Sequence, residues 1–209
     1  MVEAVTQYYT WYSANIHRGL YNLALESDAS YEDARQTIAE FLGATSADEI
    51  VFVSGTTTGL NLIANSLGKV VLKRGDEVLI TEAEHHSNLV PWQIVCREAG
   101  ANLRYLPVNE RGEVDTSPIS RLTRKTKIFA TFHVSNVLGT INPVADLVRR
   151  VKRANPDCLV VIDAAQSAPH LPVNVGELGC DFLVFSGHKL YGPTGIGVVW
   201  GKSKLLALL

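Results

Sequence analysis

Phe182-Leu183-Val184-Phe185-Ser186-Gly187-His188-Lys189-Leu190-Tyr191-Gly192 decides the reading of the chain. Four apolar residues run into Ser186 and then into a turn bracketed by Gly187 and Gly192, so the segment reads as a buried strand that presents Ser186, His188 and Lys189 at its carboxyl end. A lysine there can be partly desolvated and held beside other polar groups, which lowers its pKa and makes its amine a nucleophile. The two glycines let the backbone turn and approach a ligand closely. Taken alone, the same residues equally suit a solvated lysine that caps a loop, the commoner fate of lysines after strands.

Four other stretches repeat the arrangement of an apolar run followed by polar groups. Leu159 to Ile162 reads as a strand buried on both faces, with Asp163 at its carboxyl end and Gln166 shortly after. Ile50 to Val53 leads into Ser54-Gly55-Thr56-Thr57-Thr58-Gly59, which opens a helix and offers backbone amides, hydroxyls and a positive helix end to a phosphate. Val78 to Ile80 precedes Glu84-His85-His86-Ser87-Asn88, where an imidazole can lie over a flat ring, and Ile128 to Phe132 precedes His133-Val134-Ser135-Asn136. Five polar clusters at five strand ends form the pattern of a ligand held at the carboxyl edge of an open α/β sheet. The groups are those a pyridoxal phosphate site requires: a lysine amine, a phosphate turn, and a carboxylate that keeps a pyridine nitrogen protonated so that the ring is an electron sink.

The motifs Ser186-Gly187-His188-Lys189-Leu190-Tyr191-Gly192-Pro193-Thr194-Gly195, Glu84-His85-His86 and His133-Val134-Ser135-Asn136-Val137-Leu138-Gly139-Thr140 together resemble the cysteine desulfurases of the SUF-type group II, which are class V aminotransferase-like enzymes of fold-type I. The resemblance runs over nearly the whole chain. It implies an α/β fold with a mostly parallel central sheet flanked by helices, the large cofactor domain of such an enzyme. It implies that Lys189 attaches the cofactor pyridoxal 5'-phosphate, that Asp163 pairs with the pyridine nitrogen and that Gln166 bonds the phenolic oxygen. His85 would stack on the ring, Thr56, Thr57, Ser186 and His188 would hold the phosphate, and Asn136 would lie near the phenolic oxygen and the substrate carboxylate. His17-Arg18-Gly19 is similar to an element near that family's active-site entrance. Implied too are L-cysteine or L-selenocysteine as substrate, a homodimer, and a sulfur-acceptor protein that feeds Fe-S cluster assembly. The family's smaller carboxyl-terminal domain, with its nucleophilic cysteine and carboxylate-gripping arginine, has no counterpart here, nor has its opening strand, so residues 1–209 are expected to be a partial cofactor domain. A selenocysteine lyase or epimerase of the same superfamily, and a non-catalytic remnant of the domain, are the other readings.

Composition supports one globular α/β unit: 46% hydrophobic, 19% charged and a formal net charge of -2 give no basic excess for nucleic acid or an anionic membrane. With no signal peptide or membrane-length apolar run, the expected compartment is the cytoplasm. Cys96, Cys158 and Cys180 are odd in number and widely spaced, which argues against a disulfide framework or a zinc site, and their neighbours mark them as inert. The adjacent His85 and His86 have no third ligand nearby, so metal ranks behind ring stacking and a structural hydrogen bond. Ser186, His188 and Asp163 are the right types for a hydrolase triad but lack a nucleophile-elbow sequence. Gly192-Pro-Thr-Gly195-Ile-Gly197 does not open a helix as a dinucleotide motif would.

Of the scaffold, Val2 to Ser13 reads as an amphipathic helix whose aromatic residues pack, and Leu23 to Phe41 as a longer helix stopped by Gly43. Pro91 to Ala99 continues the helical readings, and Leu103 to Val108 is a strand. Thr116 to Leu122 reads as a short helix. The basic run Arg149, Arg150, Lys152 and Arg153 reads as the solvated face of a helix that buries Leu147 and Val151. Gly195 to Trp200 is expected as a final antiparallel strand at the sheet edge.

Overall fold

Apolar runs of four to seven residues, each with side chains alternating to opposite sides, can bury both faces only inside a sheet covered above and below. A computed structural model describes residues 1–209 apart from the side chains of Ser120 and Arg121. Its sheet contains β1 (Ile50–Val53), β2 (Glu77–Thr81), β3 (Asn102–Leu106), β4 (Thr126–Phe132), β5 (Leu159–Asp163), β6 (Phe182–Ser186) and β7 (Gly197–Gly201), in the order β1-β7-β6-β5-β4-β2-β3. Strands β3, β2, β4, β5 and β6 are parallel, and β7 runs antiparallel to both of its neighbours. The strand expected from Gly195 to Trp200 is thus antiparallel, as read, but not at the edge. All five residues of β7 are buried, with Val198 and Trp200 packing to one side and Val199 to the other, so both faces and both backbone edges need partners.

Two helix layers cover the sheet. Long helix α2 (Asn22–Leu42), following the short α1 (Val2–Gln7), packs Ala39 and Leu42 on the face that carries Phe129, Val160, Ile162 and Phe185. It stops at Gly43, in the left-handed region at φ 63°, where the Gly43 and Ala44 amides close back on Glu40 and Ala39. Helix α3 (Thr56–Val70) and α4 (Val90–Ala99) bury Leu60, Ile63, Leu67, Trp92 and Val95 on the opposite face, against Ile128, Ala130, Val161 and Val184. Helix α5 (Val144–Ala154) buries Leu147 and Val151 as its spacing predicts.

Two scaffold readings change. No residue of α1 or of the π-helical turn Tyr8–Tyr12 is buried: Tyr8 meets Tyr9 and Tyr12 edge-on, while Tyr9 and Trp11 are exposed. The aromatic spacing is satisfied within the segment itself and not against the core. The basic face of α5 is also only partly solvated. Lys152 Nζ lies 2.6 Å from the buried Asp181 carboxylate, which Lys202 contacts from its other oxygen at 2.6 Å, and Arg150 bonds the Thr116 carbonyl. A buried carboxylate needs such partners. Among the described residues no helix is long and apolar enough to cross a membrane.

Candidate active site

Because β1 and β6 both run antiparallel to β7, the carboxyl ends of β1, β2, β4, β5 and β6 emerge at one edge of the sheet. A cavity of about 220 Å³ opens there, lined by Thr56, Thr57, His85, Asn136, Asp163, Gln166, Ser186, His188 and Lys189. Every residue for which the resemblance implies a cofactor contact therefore meets in one place, though His133 of the same polar clusters does not. The volume lies below the roughly 300–1,000 Å³ of drug-sized sites and suits a single small ring.

At one end, Gly55 caps α3 without a side chain, and the amides of Thr57 and Thr58 have no backbone partner. Unpaired first-turn amides on a fifteen-residue helix are an anion site in waiting. Ser186 fastens this helix start to β6: its Oγ accepts the Thr56 N–H at 2.8 Å and shares a hydrogen bond of 2.6 Å with Thr56 Oγ1. The hydroxyl is thus engaged by Thr56 and by no imidazole, so the hydrolase triad is not assembled.

On the floor, Asp163 is buried, and its Oδ1 accepts the Ala165 amide at 2.9 Å. Burial pushes its carboxyl above the usual range, while the Ala165 bond and the charges of Lys189 and His85 pull it back. A cation or a ring N–H arriving in the cavity would hold it ionised. Lys189, half-buried, is the last residue of a short 3-10 turn over Gly187–Lys189. The turn is closed by Gly187 N–H to Ile196 O at 2.9 Å and Gly192 N–H to Gly187 O at 2.8 Å. A Cβ on Gly192 would stand 2.9 Å from that same carbonyl. The need for glycine at this position comes from the turn closing on itself, and not from a ligand. Tyr191 adopts φ 59°, a left-handed conformation that costs a non-glycine residue energy and places its ring in solvent.

His85 stands at the cavity mouth. Its Nδ1 accepts the Ser87 amide at 3.1 Å and lies 2.7 Å from Ser87 Oγ, an arrangement that assigns the ring proton to Nε2. Ser87 also lines the cavity, with Phe132, Val134 and Ala165. The sequence reading passed over Ser87, although its position two residues after a candidate histidine is that of a local side-chain acceptor. His133 goes the other way. Phe132 and Val134 line the cavity, so period-two alternation turns His133 from it, and its buried Nδ1 has no partner among the described residues. Its burial lowers its pKa.

None of the three cysteines is available as a nucleophile. All are buried and unpaired, and burial pushes Cys96 up to about 11 and Cys158 and Cys180 up to about 12.

The sequence pattern of the family described as "Aminotransferase class-V" matches residues 1–209. The chain belongs to the aminotransferase class-V family. Within it, the chain is 48% identical over 203 residues to a probable cysteine desulfurase of Halalkalibacterium halodurans, a match covering 97% of this chain and 50% of that protein. It is 47% identical over 194 residues to a cysteine desulfurase of Yersinia pestis, covering 92% of this chain and 47% of that one. The apo structure of a cysteine desulfurase from Thermococcus onnurineus NA1 superposes with a TM-score of 0.93 at 42% identity, over 99% of this chain and 51% of the other. The chain spans about half the length of the curated relatives it matches. The class-V aminotransferase fold of this chain is that of fold-type I, with its mostly parallel seven-stranded sheet.

Proposed function

We propose that residues 1–209 are the cofactor-binding domain of a pyridoxal-phosphate-dependent cysteine desulfurase of the SUF-type group II. The observation that carries this reading is the meeting of Lys189, Asp163 and the start of α3 around one cavity. The residues fit the cofactor: Thr57 and Thr58 offer two amides without backbone partners where a phosphate would lie, and a buried carboxylate waits at the opposite end. When bound, pyridoxal phosphate supplies a sink for the charge left as an amino acid loses its α proton.

Each group of the chain then has a task. Thr56, Thr57, Ser186 and His188 would bind the phosphate, and Asp163 would hold the ring nitrogen in its protonated form. Gln166 and Asn136 bond the phenolic oxygen, Asn136 also facing the substrate carboxylate. His85, at the cavity mouth, would cover one face of the ring and keep water from it. Lys189 would attach the cofactor, and its amine is the base placed to take a proton from the substrate α carbon. Overall, the Cβ–S bond of L-cysteine breaks, a protein thiolate takes the sulfur as a persulfide, and the carbon skeleton leaves as L-alanine. That thiolate belongs to a part of the protein other than these residues, since the three thiols here are buried and held protonated. Sulfur passes to an acceptor protein for Fe-S cluster assembly, in the cytoplasm, from a homodimer.

The test is a visible absorbance spectrum of the folded chain with added pyridoxal phosphate, followed by borohydride reduction and peptide mapping. A band trapped at Lys189 and absent from Lys189→Ala is expected. No band in folded protein would overturn the reading.

A further inference from the structure

Strands β2 and β4 part early. Their pairing runs from Glu77↔Thr126 to Leu79↔Phe129 and goes no further, whereas β4 stays paired with β5 up to Phe132↔Asp163. The Phe132 N–H thus faces a gap in the ladder beside the cavity, and a buried amide left there unpaired is costly. Glu84 fills the gap. Its Oε1 accepts from Phe132 N–H at 3.2 Å and from the Thr81 hydroxyl at 2.6 Å, and its Oε2 accepts from Asn88 Nδ2 at 2.7 Å. Asn88 is fully buried and in turn accepts from Trp92 Nε1 of α4 at 3.0 Å. One carboxyl therefore ties the end of β2, the approach to α4 and the end of β4 into a unit. The next residue in the chain is His85.

We infer that Glu84 is a positioning residue of this site: its carboxyl replaces the missing rung between β2 and β4, and so sets where the His85 imidazole stands relative to Asp163. The inference rests on the pyridoxal phosphate reading for its purpose, since a flat ring must fit between those two groups. Burial pushes the Glu84 carboxyl up to about 8, and the Asp163 charge pushes it the same way. Burial therefore favours the protonated, neutral form of the carboxyl. A glutamine has the same reach and charge, and in either orientation of its amide keeps two of the three bonds. An aspartate is one methylene too short to span the gap.

Glu84→Gln, Glu84→Asp and Glu84→Ala separate these contributions. In the apo chain, the His85 ring resonances in NMR spectra report its placement without any cofactor. They are expected to move in Glu84→Asp and Glu84→Ala and to stay near their native positions in Glu84→Gln. The Kd for pyridoxal phosphate is expected to rise about tenfold in the first two, the equivalent of one net hydrogen bond, and to stay within about threefold in the third. Should Glu84→Ala fail to fold, Glu84→Asp decides. Unchanged His85 signals and Kd in Glu84→Asp overturn the inference, as does Glu84→Gln being as impaired as Glu84→Asp. If the native chain binds no pyridoxal phosphate, the functional reading falls, and the His85 resonances alone judge the role of Glu84.

Discussion

Replacing Ser186 by alanine removes a single oxygen on which the start of α3 depends. Ser186 and Thr56 are both buried, at 4% and 6% exposure, so water reaches the lost contacts only from the cavity side. The Thr56 N–H, now held at 2.8 Å, becomes a buried donor without an acceptor, a defect worth about 1–3 kcal/mol. The Thr56 hydroxyl loses its 2.6 Å partner too, but it rotates and recovers part of that loss. A net cost of about 2 kcal/mol follows. For a chain of this size each kcal/mol lowers Tm by about 2–4 °C, so calorimetry of apo Ser186→Ala should show a fall of roughly 4–8 °C. Thr56→Ala is the control: it keeps the amide-to-Ser186 bond, loses only the hydroxyl pair, and should cost about 1 kcal/mol. A Tm for Ser186→Ala within about 1 °C of the native value, or a larger loss from Thr56→Ala, would refute the reasoning.

Gly197→Ala tests the close approach of β7 to the same turn. The added Cβ would stand 2.5 Å from Gly55 Cα and 2.8 Å from the Phe185 carbonyl, both of them backbone that cannot swing aside. A loss of about 3 kcal/mol, read from denaturant unfolding, is expected; native stability would show that β7 does not press on Gly55. The pH dependence of apo stability gives another check. Glu84 is raised from 4.5 to about 8, so the folded chain keeps a proton that the unfolded chain has released. Its contribution is full below about 4.5 and is lost as pH rises through about 8. The Tm of the native chain should therefore fall across that window more steeply than that of Glu84→Gln, and equal slopes would remove the buried neutral carboxyl from the account.

What could be read from the amino-acid sequence was whatever a strand carries at its own end. Asp163 and Ser186 end apolar runs and Asn136 follows one within four residues, and parallel strands deliver such ends to one edge without further information. Two things depend on distant partners and were therefore not legible. The interior place of β7 is set by β1, whose sequence lies far upstream, and local pattern says nothing of strand order. The role of Glu84 arises because Thr81, Asn88 and a β4 amide converge on it, and only the first two are its sequence neighbours. His133 is a different matter. The alternation that turns it from the cavity is present in the sequence, and grouping it with Asn136 overlooked that alternation.

The insertion of β7 has a further consequence, for the order in which the molecule can be made. Among the described residues strand β1 has no neighbour in the sheet other than β7, and Val53, just before the turn at Gly55, is registered against Gly197. On a ribosome, synthesis runs through β1 and α3 long before β7 exists. Until residue 201 has emerged, the turn at Gly55 belongs to a strand with no partner in the sheet, held by α2 through Arg35, which donates to the Ile50 carbonyl, and Tyr31, which packs on Phe52. A nascent chain should therefore bind ligand late and abruptly, once β7 closes the gap between the first strand and the sixth.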